Sequence, residues 1–344
     1  MNAKNLKICA GVGLAAVLIG GGAYLYSGTD KGKPEYAVKI AEQAVADHDK
    51  ENFYRFVDVD GLLNDSYGSL IDGLTDFERV LNDDTKDALK NFTEILKTPL
   101  LTSLKAAVDS YVTTGDFNAQ NHAGVQELLT RTGLDKIIYR GLDGIDINPA
   151  NENNATARIR IYQPELSREF ILETELSRGE NGAWKIVRLK NFQEFVNTLT
   201  EVRRSQLDNY LEKAGEIAGR HDATILEAEQ QYSKLAAFGA LNQDSVRAEV
   251  RTLMLDVYKK DWEERKQELF GLSVPKSAET LQNLFLKICD LEINYADDYA
   301  KWLDDKRPST LKIAEDHQRQ SQALKSEVSI LLRRMAGGER LVEN

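Results

Sequence analysis

Four histidines, His48, His122, His221 and His317, are the side chains of this 344-residue chain best placed for acid–base or metal chemistry near neutral pH. A helical zinc or di-iron site needs a second histidine three or four residues away, or a glutamate three residues before the histidine. None of the four has either partner. His221 and His317 fall between apolar neighbours at helical spacing, where an imidazole is expected to be a satisfied hydrogen-bonding member of a core. A second reading makes the pair pH-responsive, with protonation below about pH 6 loosening the packing around them. Asp58-Val59-Asp60-Gly61 resembles half of a calcium loop, but Phe56 and Tyr67 would stand at its first and twelfth positions, so a helix-start turn is expected instead. Asp297-Asp298 and Asp304-Asp305 read as solvated acidic pairs on a charged helix. There is no P-loop and no G-x-S-x-G. No catalytic, cofactor-binding or metal-ligating residue is assigned from the sequence, and no cofactor is expected.

The longest uncharged stretch opens with the apolar run at residues 8–26, ICAGVGLAAVLIGGGAYLY. At helical rise it matches a hydrocarbon core of about 30 Å, so a transmembrane anchor is expected. Lys4 and Lys7 precede it, whereas Asp30 partly offsets Lys31 and Lys33 after it. The positive-inside bias then places the N-terminus in the cytoplasm and the body outside it, at a cell membrane. A cleaved signal peptide is the rival reading, since Gly21-Gly22-Ala23 supplies small residues for processing and secretion would follow. Gly11 to Ala16 also fits the G-x-G-x-x-A form of a dinucleotide loop, but a linker of residues 27–34 follows where an amphipathic helix and a second strand should stand. Ala16 and Gly20 make a small-xxx-small pair suited to helix dimerisation.

Composition narrows the partners. With 55 acidic and 44 basic residues the formal charge is -11, and no basic segment could release counterions from a phosphate backbone, so no nucleic acid partner is expected. Two cysteines, Cys9 in the apolar run and Cys289 in a helical pattern, form no disulfide framework.

Two patterns of apolar spacing position these residues. Ala37, Ile40, Ala41, Ala44 and Val45 recur at helical steps, and Phe53, Phe56 and Val57 begin a second helix after Asp47-His48-Asp49. Leu81, Leu89, Phe92, Leu96, Leu100, Leu104 and Val108 predict further helix, interrupted or kinked near Pro99, with a loop over residues 113–121. From residue 137 the period changes to two. Residues 137–147 predict a strand bent or bulged at Gly141 and Gly144. Ala155, Ala157, Ile159 and Ile161 alternate with polar neighbours, as do Phe170, Leu172, Thr174 and Leu176, which predicts two half-buried antiparallel strands. Charge complementarity sets Arg160 opposite Glu173, Arg158 opposite Glu175 and Ile161 against Leu172. A turn at residues 179–182 leads into a last strand at residues 184–189.

Helices followed by a curved antiparallel sheet ending in "NGAWKIVRLKNF", and opened by the run Tyr36, Ala37, Ala41, Ala44, Asp47, Phe53, Phe56, Val57 and Asp58, is similar to the cone-shaped nuclear transport factor 2-like superfamily. The likeness is greatest to its anchored, exported bacterial domains of unknown function, and it covers residues 35–195. The resemblance implies a space between sheet and helices used as a ligand or catalytic pocket or as a dimer surface. His48 and His122 lie outside the strands where a pocket acid–base pair would be sought, so no family site residue carries over.

Residues 196–336 read as helical throughout. Tyr210, Ala214, Ile217, His221, Ile225, Ala228 and Tyr232 form one seam, and Val246, Val250, Leu253 and Val257 a second. A third runs through Leu281, Leu284, Ile288, Leu291, Tyr295 and Trp302, and a fourth through Ala314, His317, Ser321, Leu324, Val328, Leu331 and Met335. Four runs with short turns predict an up-and-down bundle or a long antiparallel coiled coil, with residues 337–344 as a tail. The expected architecture is thus an anchor at residues 1–26, a linker at 27–34, an α+β cone at 35–195 and an all-α part at 196–336. The expected function is a non-enzymatic scaffold or protein-interaction module, touching the lipid bilayer through its first helix and a protein partner or a second copy through the helical part. The alternative is a small-molecule-binding or catalytic cone with the helical part as spacer. A cone filled by Phe170, Leu172 and Trp184 would favour the scaffold, and convergent ionisable groups around a pocket the alternative.

Overall fold

The structure, a computed structural model, describes residues 30–75, 83–115 and 123–335. The apolar run at residues 8–26, with Cys9, Ala16, Gly20 and the glycine-rich stretch, lies outside the described residues, as do Leu81, His122 and the tail at 337–344. No helix among the described residues is long and apolar enough to cross a membrane. The chain divides into two compact units between Val202 and Arg203.

The first unit sets helices against a four-stranded sheet. Helix α1, Pro34–Ala46, opens on a proline suited to its first turn and buries Ala37, Val38, Ala41 and Ala44. It stops at His48, whose φ of 58° is left-handed. Asp49 then caps α2, Lys50–Phe56, its carboxylate accepting from the Asn52 amide. Val57 leaves the helix and bridges Ile186 in parallel. Asp58 caps the start of α3, Val59–Thr75, with Oδ1 accepting from the Gly61 amide at 3.2 Å, the helix-start turn that the spacing predicts.

Helix α4, Asp83–Thr114, departs from expectation in three ways. It runs unbroken past Pro99, and the Thr102 and Ser103 hydroxyls donate to the carbonyls of Thr98 and Pro99. It also continues through Thr114, so its C-terminal residues replace the start of the expected loop. Finally, the apolar series does not form one buried seam, because Phe92 and Leu96 are exposed while Leu104 and Val108 are buried. Steps of four drift on a helix of 3.6 residues per turn, and sixteen residues accumulate about 160°, which turns Phe92 away from the face of Val108. A short helix α5, Ala123–Thr132, precedes the strands.

Strands β1 (Ile138–Ile147), β2 (Asn154–Gln163), β3 (Arg168–Arg178) and β4 (Trp184–Leu189) pair in sequence order, each antiparallel to the next. The predicted inner faces are correct: Ala155, Ala157, Ile159, Ile161, Leu172, Thr174 and Leu176 are all buried. The predicted β2/β3 register is two residues off. Arg158 pairs with Glu173, Thr156 with Glu175, and Ile159 with Leu172. The expected register would leave six residues in the hairpin, whereas residues 164–167 close it and bring Gln163 opposite Arg168. A shift of two keeps every side chain on its face, which is why alternation alone could not detect it.

The arginines find their acids on β1 instead. That strand bulges on either side of Leu142, as its glycines predict. Arg158 pairs with Asp146 and, at 3.6 Å, with Asp143, and Arg160 approaches Asp143 at 3.9 Å. A Cβ at Gly144 would stand 2.7 Å from the Arg158 guanidinium, so the glycine makes room for the arginine to cross.

Glu42 of α1 is a part-buried carboxylate accepting from the Tyr139 hydroxyl, and burial, opposed by that bond, pushes its pKa up to about 7. A folded pKa above the unfolded value means the folded state holds the proton more tightly, so stability falls as pH rises from about 4.5 through about 7. Glu42→Gln should flatten that decline, removing at most about 3 kcal/mol of it. Urea titrations of both proteins at pH 5 and pH 8 measure the difference; equal slopes would show that Glu42 is not its source.

In the second unit four helical runs alternate in direction. Helix α6 is Phe192–Leu235, whose residues from Arg203 belong here. Next comes a continuous run of α7 (Asp244–Thr252), a π-helical segment (Leu253–Lys259) and α8 (Lys260–Phe270). Helices α9 (Glu279–Asp305) and α10 (Pro308–Met335) complete it. Lys266–Asp290, Lys259–Asp297 and Arg251–Asp304 zip the second run antiparallel to α9. Asp305 with Thr310 and Asp298 with His317 do the same for α9 and α10. Tyr210 with Gln282 and Tyr232 with Tyr299 set α6 alongside α9 in the same direction. The acidic pairs read as solvated surface therefore tie α9 to its neighbours, and Asp305 also caps α10 by accepting from the Arg307 amide.

The seams at Tyr210 through Ala228 and at Leu281, Ile288 and Leu291 are buried as predicted. The second seam is not continuous. Val257 is exposed, and Tyr258 takes its place in the core. The π turn accommodates one residue beyond the α-helical count, so the buried face after it passes through Tyr258, Trp262, Arg265 and Leu269.

Candidate functional site

Polar groups that could do chemistry gather inside the helical unit, on the residues that follow the π turn. Glu292 of α9 is 1% exposed and accepts three hydrogen bonds, from Tyr258 Oη at 2.7 Å, Ser321 Oγ at 2.6 Å and Lys325 Nζ at 2.5 Å. Burial first, and the charge of Glu292 second, push the Tyr258 hydroxyl far above its ordinary range, so it stays a protonated donor. One turn on, the Trp262 ring has the Arg265 guanidinium 4.1 Å and the Lys325 ammonium 5.1 Å from its centroid. Arg265 in turn pairs with Asp222 at 2.6 Å.

His221 does reach a core position. Its Nδ1 lies 2.9 Å from Asp261 Oδ1, and its Nε2 lies 3.6 Å from Glu268 Oε1. His317 is half-buried with Nδ1 3.4 Å from Asp298. Each ring therefore stands beside a carboxylate. His48 belongs to the other unit, with Nδ1 3.1 Å from the Val112 carbonyl.

Beside the cluster is a partly open cleft of about 540 Å³, walled by all four helical runs. Alanines 214 and 218, one turn apart on α6, make its room; Ile225, Phe285 and Ile288 give it apolar walls. Trp262, Arg265 and Lys325 bring the charged network to its lining. Cys289 also lines it, and burial pushes that thiol up to about 12, which makes it a packed apolar group and not a nucleophile. Among the described residues no group of three or more His, Cys, Asp or Glu side chains is arranged to hold a metal ion.

Sequence reasoning found His221 and noted Cys289, but it missed Glu292, Tyr258, Trp262, Arg265 and Lys325. A signal for Glu292 was present: it stands four residues after Ile288 and three before Tyr295, a charged residue at a seam position. Tyr258, Trp262 and Arg265 carried none, because the π turn directs them into the core, and Lys325 stands on another helix, α10.

In the α+β unit the space between sheet and helices is taken by side chains. Leu172 and Trp184 are 1% and 2% exposed, and Phe170 packs on Phe195 with ring centroids 5.2 Å apart. The Trp184 indole donates to the Gly32 carbonyl at 3.0 Å. No family model, curated protein or solved structure matches the chain.

Proposed function

We propose that this chain is a membrane-tethered extracytoplasmic scaffold: residues 8–26 anchor it, the α+β unit is a cone-like domain of the nuclear transport factor 2-like kind, and the helical unit engages a protein partner or a second copy. The observation that carries this reading is the filled interior of the α+β unit, where Leu172, Trp184 and Phe170 occupy the space in which a catalytic cone would hold its substrate. The uncharged run at residues 8–26 supports the tether. Exposed apolar side chains on the helical unit, among them Phe270, Ile313 and Ile330, support a protein-facing role.

Fractionation of cells followed by protease shaving tests it. The expected result is a protein in the membrane fraction, not extracted by high salt, whose body is degraded when protease reaches the outer face of the intact membrane. A body degraded only after lysis would reverse the orientation. A soluble body trimmed after Ala23 would replace the anchor by a signal peptide.

A further inference from the structure

A file of oxidisable rings runs through the helical unit, and we infer that it serves Tyr258 as a proton-coupled, one-electron redox site. Tyr295, Tyr299 and Trp302 follow one another at steps of four and three along one face of α9. Their ring centroids lie 5.6 Å and 5.1 Å apart, and Tyr258, aimed by the π turn, reaches Tyr295 at 5.9 Å. Trp302 is half-buried, so the file meets solvent at that end, whereas Tyr299 and Tyr258 are buried. Packing alone would be met by phenylalanine, with no phenolic hydroxyl to bury. Phenol and indole rings in contact pass an electron vacancy along, each oxidised ring drawing an electron from the next.

The vacancy stops at Tyr258 for two reasons. Oxidation makes a phenol a strong acid, and the Tyr258 hydroxyl already donates at 2.7 Å to Glu292 Oε2, while Ser321 and Lys325 both occupy Oε1. Tyr299 has a second phenol, Tyr232, at 2.6 Å, a poorer base than a carboxylate. Beyond Tyr258, Trp262 lies at 6.3 Å, but the Arg265 and Lys325 cations stand 4.1 Å and 5.1 Å from its ring centroid and oppose positive charge on the indole. A one-electron oxidant at Trp302, such as an oxygen-centred radical, takes up one electron and is reduced. The O–H bond of Tyr258 breaks, its proton bonds to Glu292 Oε2, and a neutral tyrosyl radical remains. Return of one electron restores the phenol and the carboxylate. The site lies wholly within the helical unit and does not depend on the proposed tether.

A ruthenium polypyridyl photo-oxidant, tethered through Lys301→Cys at an exposed position beside Trp302, tests this in the full-length chain in non-ionic detergent. Cys9→Ser in the same chain keeps the label from the apolar run, and Cys289 is buried. Flash oxidation is expected to leave a neutral tyrosyl radical, read by its absorption and its electron paramagnetic resonance. Its yield should fall at least fivefold in Tyr258→Phe, which keeps the ring but not the hydroxyl. Trp302→Phe breaks the file at its entry and should lower the yield as much. Glu292→Gln leaves every ring in place but offers an amide that takes up no proton, so the same fall is expected there. Absence of the radical, or an undiminished yield in any one of the three variants, would overturn the proposal. If Tyr258→Phe does not fold, Glu292→Gln decides in its place, because Tyr258 is the ring of the file that donates to Glu292.

Discussion

Lys325→Met should destabilise the helical unit by about 3–5 kcal/mol, the range for stranding one member of a buried ion pair. The reason is the asymmetry of the pair: the Lys325 side chain is 37% exposed and can be lost to water, but Glu292 is 1% exposed and cannot follow it. With the ammonium gone, the carboxylate keeps only the Tyr258 and Ser321 hydroxyls. Adding Glu292→Gln should recover most of the loss, because an amide in that place accepts from one hydroxyl on its oxygen and donates its NH2 to the other, with no charge to bury. Denaturant unfolding of the two single variants and the double closes the cycle. A coupling below about 0.5 kcal/mol would place the pair among surface contacts and would remove the case for a charged network at the cleft.

Trp184→Ala is the corresponding change in the α+β unit. The indole is enclosed and its N–H is committed to Gly32, so truncation should cost about 3–5 kcal/mol, mostly through the cavity left behind. Trp184→Phe keeps an aromatic ring and should cost less, about 1–2 kcal/mol for lost volume and the lost bond. Loss of sheet signal in circular dichroism with rising denaturant gives both numbers. A cost for Trp184→Ala near zero would mean that the interior tolerates a large void, and would reopen the reading of the cone as a ligand pocket.

Local chemistry was legible wherever the cause of a structure lay within a few residues. The alternation from Ala155 to Ile161 shows which face of β2 is buried, Gly141 and Gly144 mark the bulged strand, and Asp58 marks the start of a helix. What needed distant partners was not legible. Opposite charges on β2 and β3 made a plausible register, but the true partners of Arg158 and Arg160 are Asp143 and Asp146 on the other neighbouring strand. The run from Phe92 to Val108 looked like one seam because each step of four is allowed, although the steps sum to a half-turn. At the cleft, Glu292 and Lys325 lie 33 residues apart, and only the antiparallel return of α10 along α9 brings them together. Trp262 and Arg265 were hidden for a different reason, a change of helical phase between Leu253 and Lys259.

That change of phase makes the helix tolerant of a shorter chain at one place. If Val257, which points outward, were deleted, the core positions now numbered 258, 262, 265 and 269 would follow 246, 250 and 253 in unbroken steps of three and four, the count an ordinary α-helix needs. The segment could then close as plain α-helix with Tyr258 still directed at Glu292. The same deletion one turn further on, at Glu263 or Glu264, would find no such slack, and would swing Arg265 and Leu269 by about 100° out of the core. The π turn is therefore a length reserve of one residue, placed where it is spent on aiming the tyrosine.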